Sequence, residues 1–595
     1  MLYLLLLGKF MAFMKLPLLF LMIFSASTLY AQLYIMPSDK SDSYIYAKDR
    51  LIFVKDEIHL TENLHKETQA SLYLRKDAQL LQGAKISSLN NGSGMISIFQ
   101  AGTSNAYDYN YWGLPIEIRD NNIQLNDIIY ETLGNTESRK AKLISALDGS
   151  SSPLSISNRW IYTFSGNNYS SWLYAGDHFD LLPGEGFTMK GVNGVNMNEV
   201  EGEPINAGSA HIYDFRGLPN NGKIELSITK DQILLVGNPY PSALDLDKFL
   251  IENTSSTGIA YFWDSRKDGN SHYLSDYEGG YGTYSPGAGI YVPAIFRKYP
   301  NGAETGETGR TIARKVSPVA QGFMIIGKND GKVFFQNSHR MFQKENPGIS
   351  EFKSPESAIP SLKLNIELDS TYIRQLVLAF REDSSPDEDH AMDARKMDAS
   401  PSDVSWSLSG EPYVINVRPK LDEELIPLRI SLNKETSLQF SVGETNNFNP
   451  DRLFIYDAKD DLYFGIKTGY LKIKLPKGKY NDRFYLSFIE KLPTTNSDPE
   501  TPEGFKPKPP NILLNTIDIF QNNREERLEI KILYDSGISS LMVYDLNGKL
   551  VFNRSFKGLQ KEFTMPTGNL GNAVYIVKVN TIDKLELTKK IGVRN

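Results

Sequence analysis

Four aspartates, Asp383, Asp387, Asp389 and Asp393, stand close together in one polar stretch of the chain. Carboxylates at such spacing could coordinate Ca2+, a hard cation that takes about 6–8 oxygen ligands. The stretch lacks the glycine and the spacing of an EF-hand loop, so a solvated acidic loop is the competing reading. Acidic turns also occur at residues 264–270 and 457–461, the second read as a hairpin turn. Aromatic rings offer a different chemistry. Tyr109, Tyr111 and Trp112 lie within four positions, and exposed amphipathic rings can stack on sugars, although large rings more often fill a β-core.

Catalytic patterns are thin. None of the 7 histidines forms an i, i+4 pair, and neither His-Glu-x-x-His nor Gly-x-Ser-x-Gly occurs. No pair of carboxylates is singled out for glycoside hydrolysis. No catalytic residue is assigned, and Ca2+ is the one candidate cofactor. With 0 cysteines, the chain has no disulfide, thiolate metal site or nucleophilic thiol. Its net charge of −7 gives no electrostatic case for nucleic acid or an anionic membrane surface.

The elements that would position such residues read as strands. At 595 residues the chain exceeds one hydrophobic core. Frequent Tyr and Phe among Gly, Pro and Asn favour β-structure. Residues 1–31 read as a signal peptide cleaved after Ala31, with Met1, Met11 and Met14 as alternative starts. No later segment is long and apolar enough to span a bilayer. Residues 32–105 form a β-rich region with a solenoid-like rhythm. Residues 106–350 form a large β-domain in which Gly186-Phe187 and Gly322-Phe323 each open an apolar run, which predicts two related strands entering one core. Two helices are expected there, one at residues 137–147 and a short one capped by Asp245. Residues 355–491 alternate cleanly, notably over 362–368, and suit a sandwich or jelly roll. Residues 492–511 carry Pro493, Pro499, Pro502, Pro507, Pro509 and Pro510, an extended spacer. The chain as a whole is predicted to be mainly β: several sandwich or jelly-roll-like domains in series.

Residues 512–595 form the most legible module. Alternating runs flank Asn547-Gly548, the dipeptide preferred in a type I′ hairpin turn. The strand at 528–530, the hairpin Tyr544-Asp545-Leu546-Asn547-Gly548-Lys549, the run 573–579 through Tyr575, and the ending Thr588-Lys589-Lys590-Ile591 together resemble the C-terminal sorting domain of type IX secretion substrates of Bacteroidetes. The resemblance implies an immunoglobulin-like β-sandwich recognised by the type IX machinery, and delivery through the periplasm to the cell surface or medium. It implies that Tyr544, Asn547, Gly548, Lys549, Tyr575, Lys589 and Lys590 carry the sorting signal. A second set of pieces, residues 109–112, 237–242, 261–264 and 321–323, resembles a recurrent set in large flavobacterial surface proteins. The second set carries no activity with it. With catalytic patterns thin, the expectation is an exported, non-enzymatic protein of adhesion or envelope assembly, with other envelope proteins or a surface polysaccharide as partners. A carbohydrate-binding or polysaccharide-acting protein is the alternative.

Overall fold

The computed structural model describes residues 33–490 and 517–594, except 66–67, 84–89, 119–123, 178–179, 207, 299–303, 313, 346–358, 398–399, 422–423, 533–536, 547 and 583–585. The segments read above as a leader and a proline-rich spacer therefore lie outside the described residues. The chain divides into two compact units, residues 1–276 with 312–355, and residues 277–311 with 356–595. Among the described residues, the regular elements of both are nearly all strands.

The first unit begins as a parallel coil. Leu33–Ile35 pairs with Ile58–Leu60, Ile45–Lys48 with Leu72–Arg75, and Leu51–Val54 with Gln79–Gln82, so each turn lies on the one before. Leu72–Arg75 pairs in turn with Ile96–Ala101. The buried Ile58, Leu60, Leu72, Leu74, Leu80, Ile96 and Ile98 fill its interior. The corner at Gly92 demands glycine, because φ is +104° and a Cβ would lie 1.9 Å from the Leu60 carbonyl oxygen. Beyond Ile96–Ala101 the sheet continues antiparallel through Ile212–Pro219, Ile129–Thr132 and Ser138–Lys140.

This last strand corrects the helix expected at residues 137–147. Ser138–Lys140 and Lys142–Ile144 are strands in different sheets. Arg139 lies opposite Glu131 in the ladder and grips its carboxylate through Nε and Nη2. A cross-strand ion pair and ladder bonds outweigh a weak local helix preference. The second expected helix is present at Leu246–Glu252. Asp245 Oδ1 accepts the Lys248 N–H at 3.1 Å, and Phe249 and Leu250 face the core.

A second antiparallel path in this unit runs Ala260–Ser265, Gly322–Ile326, Ile233–Gly237, Tyr162–Gly166, Phe187–Lys190, Tyr109–Trp112. Phe187 and Phe323, the two Gly-Phe rings, are both fully buried. Here the recurrent sequence pieces meet. Gly113 and Gly237 cross so closely that a Cβ on Gly237 would lie 2.3 Å from the Gly113 Cα. Asn238 is buried and fully used: Nδ2 donates to the Ser242 and Pro318 carbonyls, Oδ1 accepts the Tyr240 N–H, and its own N–H donates to Gln321 O. Tyr240 donates its hydroxyl to Gly222 O at 2.6 Å. The Gly-Asn-Pro-Tyr-Pro-Ser stretch therefore closes a backbone crossing that only these small and amide residues satisfy.

In the second unit a continuous sheet runs from Leu462–Gly465 through Phe454–Asp457, Gly478–Ser487, Ile426–Leu432, Asp403–Leu408, Glu411–Arg418, Tyr372–Phe380, Ser361–Leu368 and Thr436–Asn446 to Tyr470–Leu475. All pairings along it are antiparallel except that of Tyr372–Phe380 with Glu411–Arg418. Residues 457–461 form the turn between paired strands, as their composition predicts. The C-terminal module is a sandwich of a 3-stranded and a 4-stranded antiparallel sheet. Leu528, Ile530, Leu541, Val543, Val577, Val579 and Ile591 form its core.

Candidate functional site

The sorting residues divide by sheet face. Side chains alternate across a strand, and the register places Tyr544 opposite Leu550 and Ile576, and Ile576 opposite Lys590. Tyr544, Ile576 and Lys590 thus share the outer face, beside the exposed Val574 and Leu550. Tyr575 points the other way, into the core, and donates its hydroxyl to Gly571 O at 3.1 Å. Lys589 reaches across to the facing sheet and donates to Ile519 O at 2.7 Å. Two of the seven sorting candidates therefore tie the sandwich together, while Tyr544 and Lys590 are presented outward.

The hairpin is present, but its turn corrects the type I′ expectation. The Gly548 N–H donates to Asp545 O at 3.1 Å, and Gly548 takes φ +81°. The turn thus closes Asp545 to Gly548, with the glycine in the left-handed bulge position and a register shift at Val543/Tyr544. The Asp545 carboxylate accepts the Lys549 N–H at 2.9 Å and holds the loop. Asn547 lies outside the described residues.

The acidic stretch does not converge on one point. Asp383 is gripped by Arg381 Nε and Nη2 at 2.8 and 2.6 Å. Asp389 accepts the Ser385 N–H and hydroxyl. Asp393 is buried, and its two oxygens accept the Asp389 and Val417 N–H groups at 2.7 Å each. Among the described residues no group of three His, Cys, Asp or Glu is arranged to hold a metal ion. Asp383, Asp389 and Asp393 thus bond to arginine, serine and backbone donors, and the set Asp383, Asp387, Asp389, Asp393 is not gathered into one cluster.

The aromatic entry is corrected in part. Trp112 is only 4% exposed. It lies edge-on to Tyr213 and tilted on Phe215, and Tyr111 is buried against Trp172. Both belong to the core and cannot receive a sugar. Tyr109 is half-buried and joins a cluster that motif reading missed, because its members are far apart in the chain. There Lys190 Nζ lies 3.0 Å from His272 Nδ1, 3.8 Å from the Trp160 ring centre and 5.0 Å from that of Tyr109. His272 stacks on Trp160 (5.2 Å, 7°) and its Nε2 bonds to Asp148. Burial pushes the Lys190 amine down to about 7 against the pull of Asp108 and Asp148. A neutral amine can donate to Nδ1 while Nε2–H donates to Asp148, so each polar group in the chain is served. Lys190 is only 3% exposed, so the relay clamps the segment around His272 and is not reached by a substrate.

An open depression lies on the edge strand Trp172–Tyr174, which pairs with Tyr162–Gly166. It has a volume of about 460 Å3 and is lined by Thr163, Tyr174, Ala175, Asp177, Asp180 and Leu181. No motif flags these residues; the ring and the two carboxylates are close in sequence, and the fold decides that they border an open surface.

No curated protein matches the chain. No helix among the described residues is long and apolar enough to cross a membrane. Residues 519–594, the sandwich with the outward Tyr544 and Lys590, match the secretion system C-terminal sorting domain, which directs export to the cell surface or medium by the type IX machinery. Residues 49–488, from the first turn of the coil to the last strand of the long sheet in the second unit, match a domain of unknown function, DUF8693. The chain therefore belongs to the DUF8693 family, and it is a type IX secretion substrate.

Proposed function

We propose that this is a non-enzymatic surface protein of adhesion or envelope assembly from a Bacteroidetes cell. Residues 1–31 take it across the inner membrane, and the sorting sandwich takes it across the outer one. The carrying observation is the outer face of the terminal sheet, where Tyr544, Ile576 and Lys590 stand in register beside exposed Val574 and Leu550. An apolar stripe flanked by a cation suits recognition by a partner protein, because such a stripe is exposed at a cost unless something covers it.

Deleting residues 512–595 is expected to leave the remainder in the periplasm, read by surface proteolysis of intact cells. Cells without the gene are expected to attach less, or to assemble an altered envelope. Continued surface display of the truncated chain, or attachment and envelope composition unchanged by loss of the gene, would sink the proposal. Carbohydrate binding is the alternative function, and the depression beside Tyr174 favours it.

A further inference from the structure

Tyr174 is 60% exposed, yet its ring is not loosely held. Gly176 takes φ +59°, and a Cβ there would lie 2.7 Å from Cζ and Oη of that ring. Only glycine lets the ring lie down against the chain at this point. Tyr162 meets it edge-on, with centroids 5.5 Å apart at 64°. The Ala175 and Gly176 N–H groups both donate to Ile161 O, at 3.0 and 3.3 Å, which pins the segment behind it. One ring face is therefore fixed while the other is open to solvent.

Asp177 and Asp180 border the same depression. The Asp177 carboxylate is steered by a bond from Asn158 Nδ2, while Asp180 is exposed. The volume of about 460 Å3 falls within the range of small-ligand sites, ~300–1,000 Å3. A ring already immobilised loses little rotamer freedom on binding. Its apolar face can take the C–H face of a pyranose, and carboxylates accept hydroxyl donors in charge-assisted bonds. Two carboxylates also repel a third anion.

We propose that this depression binds a neutral or amino saccharide, with Tyr174 as the stacking platform and Asp177 and Asp180 as acceptors for its hydroxyl or ammonium groups. The proposal rests on surface display for its setting, but purified protein tests it independently of export.

The experiment probes the purified chain with neutral, amino, uronic and sulfated saccharides on an array, and with surface polysaccharide isolated from the producing cells. Neutral or amino saccharides are expected to bind, with affinity falling roughly tenfold in Tyr174→Ala and retained in Tyr174→Phe. Tyr174→Phe should keep the parent melting temperature, and Tyr174→Ala should lower it only slightly, by the loss of the Tyr162 contact. Asp177→Asn combined with Asp180→Asn should lose discrimination against uronic acids. Binding to the cells' own polysaccharide would assign the site to the envelope, and binding to array saccharides alone would assign it to foreign glycans; either supports the proposal. No binding, binding confined to uronic or sulfated saccharides, or binding untouched by Tyr174→Ala would overturn it.

Discussion

Replacing Asp214 by Asn should unfold the first unit at much lower denaturant. Asp214 is completely buried between two buried guanidinium groups. It accepts from Arg216 Nε at 2.7 Å, Ser97 Oγ at 2.6 Å and Ser138 Oγ at 2.7 Å. Arg75 lies 3.6 Å from the Phe99 ring centre and donates to Ser97 and to Asn135 O. Burial pushes Arg75 down to about 10, and Asp214 is the main opposing influence. The amide keeps the shape and removes the charge, leaving two guanidinium groups in the interior without a counter-ion. Breaking a buried pair from one side costs about 3–5 kcal/mol. With a urea dependence of about 3 kcal/mol/M, the midpoint should fall by about 1–1.7 M. Hydrogen exchange read peptide by peptide against urea assigns each transition to its unit. Asp403→Asn is the reciprocal control. Asp403 is buried between Arg374 and Lys396, and its loss should lower the second unit alone. An Asp214→Asn shift below about 0.3 M, equivalent to ~1 kcal/mol, would mean that the network is worth no more than a surface ion pair and would refute the reasoning.

Two pH effects follow from the same physics. Burial alone would raise Asp403, but Arg374 and Lys396 hold it below the usual carboxylate range. Its stabilisation is therefore present above the unfolded value of ~3.9 and lost as pH falls through the folded one. The second-unit midpoint should drop in that acid window, and Asp403→Asn should flatten the limb. Lys190 acts with the same sign in a higher window: the unfolded amine holds its proton to about 10.4, whereas the folded one releases it near 7. First-unit stability should thus rise with pH between 7 and 9, as urea midpoints at each pH would show. An unchanged slope in Lys190→Met would contradict the clamp assigned to the Lys190–His272–Asp148 relay.

Features governed by neighbours in sequence were legible before any coordinates. The Asp245 cap, the turn at 457–461 and the alternation over 362–368 each depend on contacts a few residues away. The sorting module was legible for the same reason, since its runs and hairpin lie close together in the chain. The errors mark where this locality ends. The segment 137–147 was misread because the partner that makes Arg139 a strand residue is Glu131 on a neighbouring strand. The turn at Asn547-Gly548 differs for another reason: its contacts are local, but the dipeptide suits both turn forms and the Gly548 N–H to Asp545 O bond selects the bulged one.

The sequence by itself determined a mainly β, disulfide-free chain with an export module at its end, because alternation, turn residues and composition are one-dimensional properties. Only tertiary structure decided which of its chemical groups face water. Trp112 and Tyr111 are consumed by the core, Lys589 is tied to Ile519 while Lys590 stands free of the sandwich interior, and Asp393 of the acidic stretch is buried on the Asp389 and Val417 N–H groups. The exposed ring at Tyr174 depends on a left-handed glycine, a paired edge strand and two aspartates from the following loop. These residues are neighbours in the chain, but the pairing of their strand with Tyr162–Gly166 decides which of them face water.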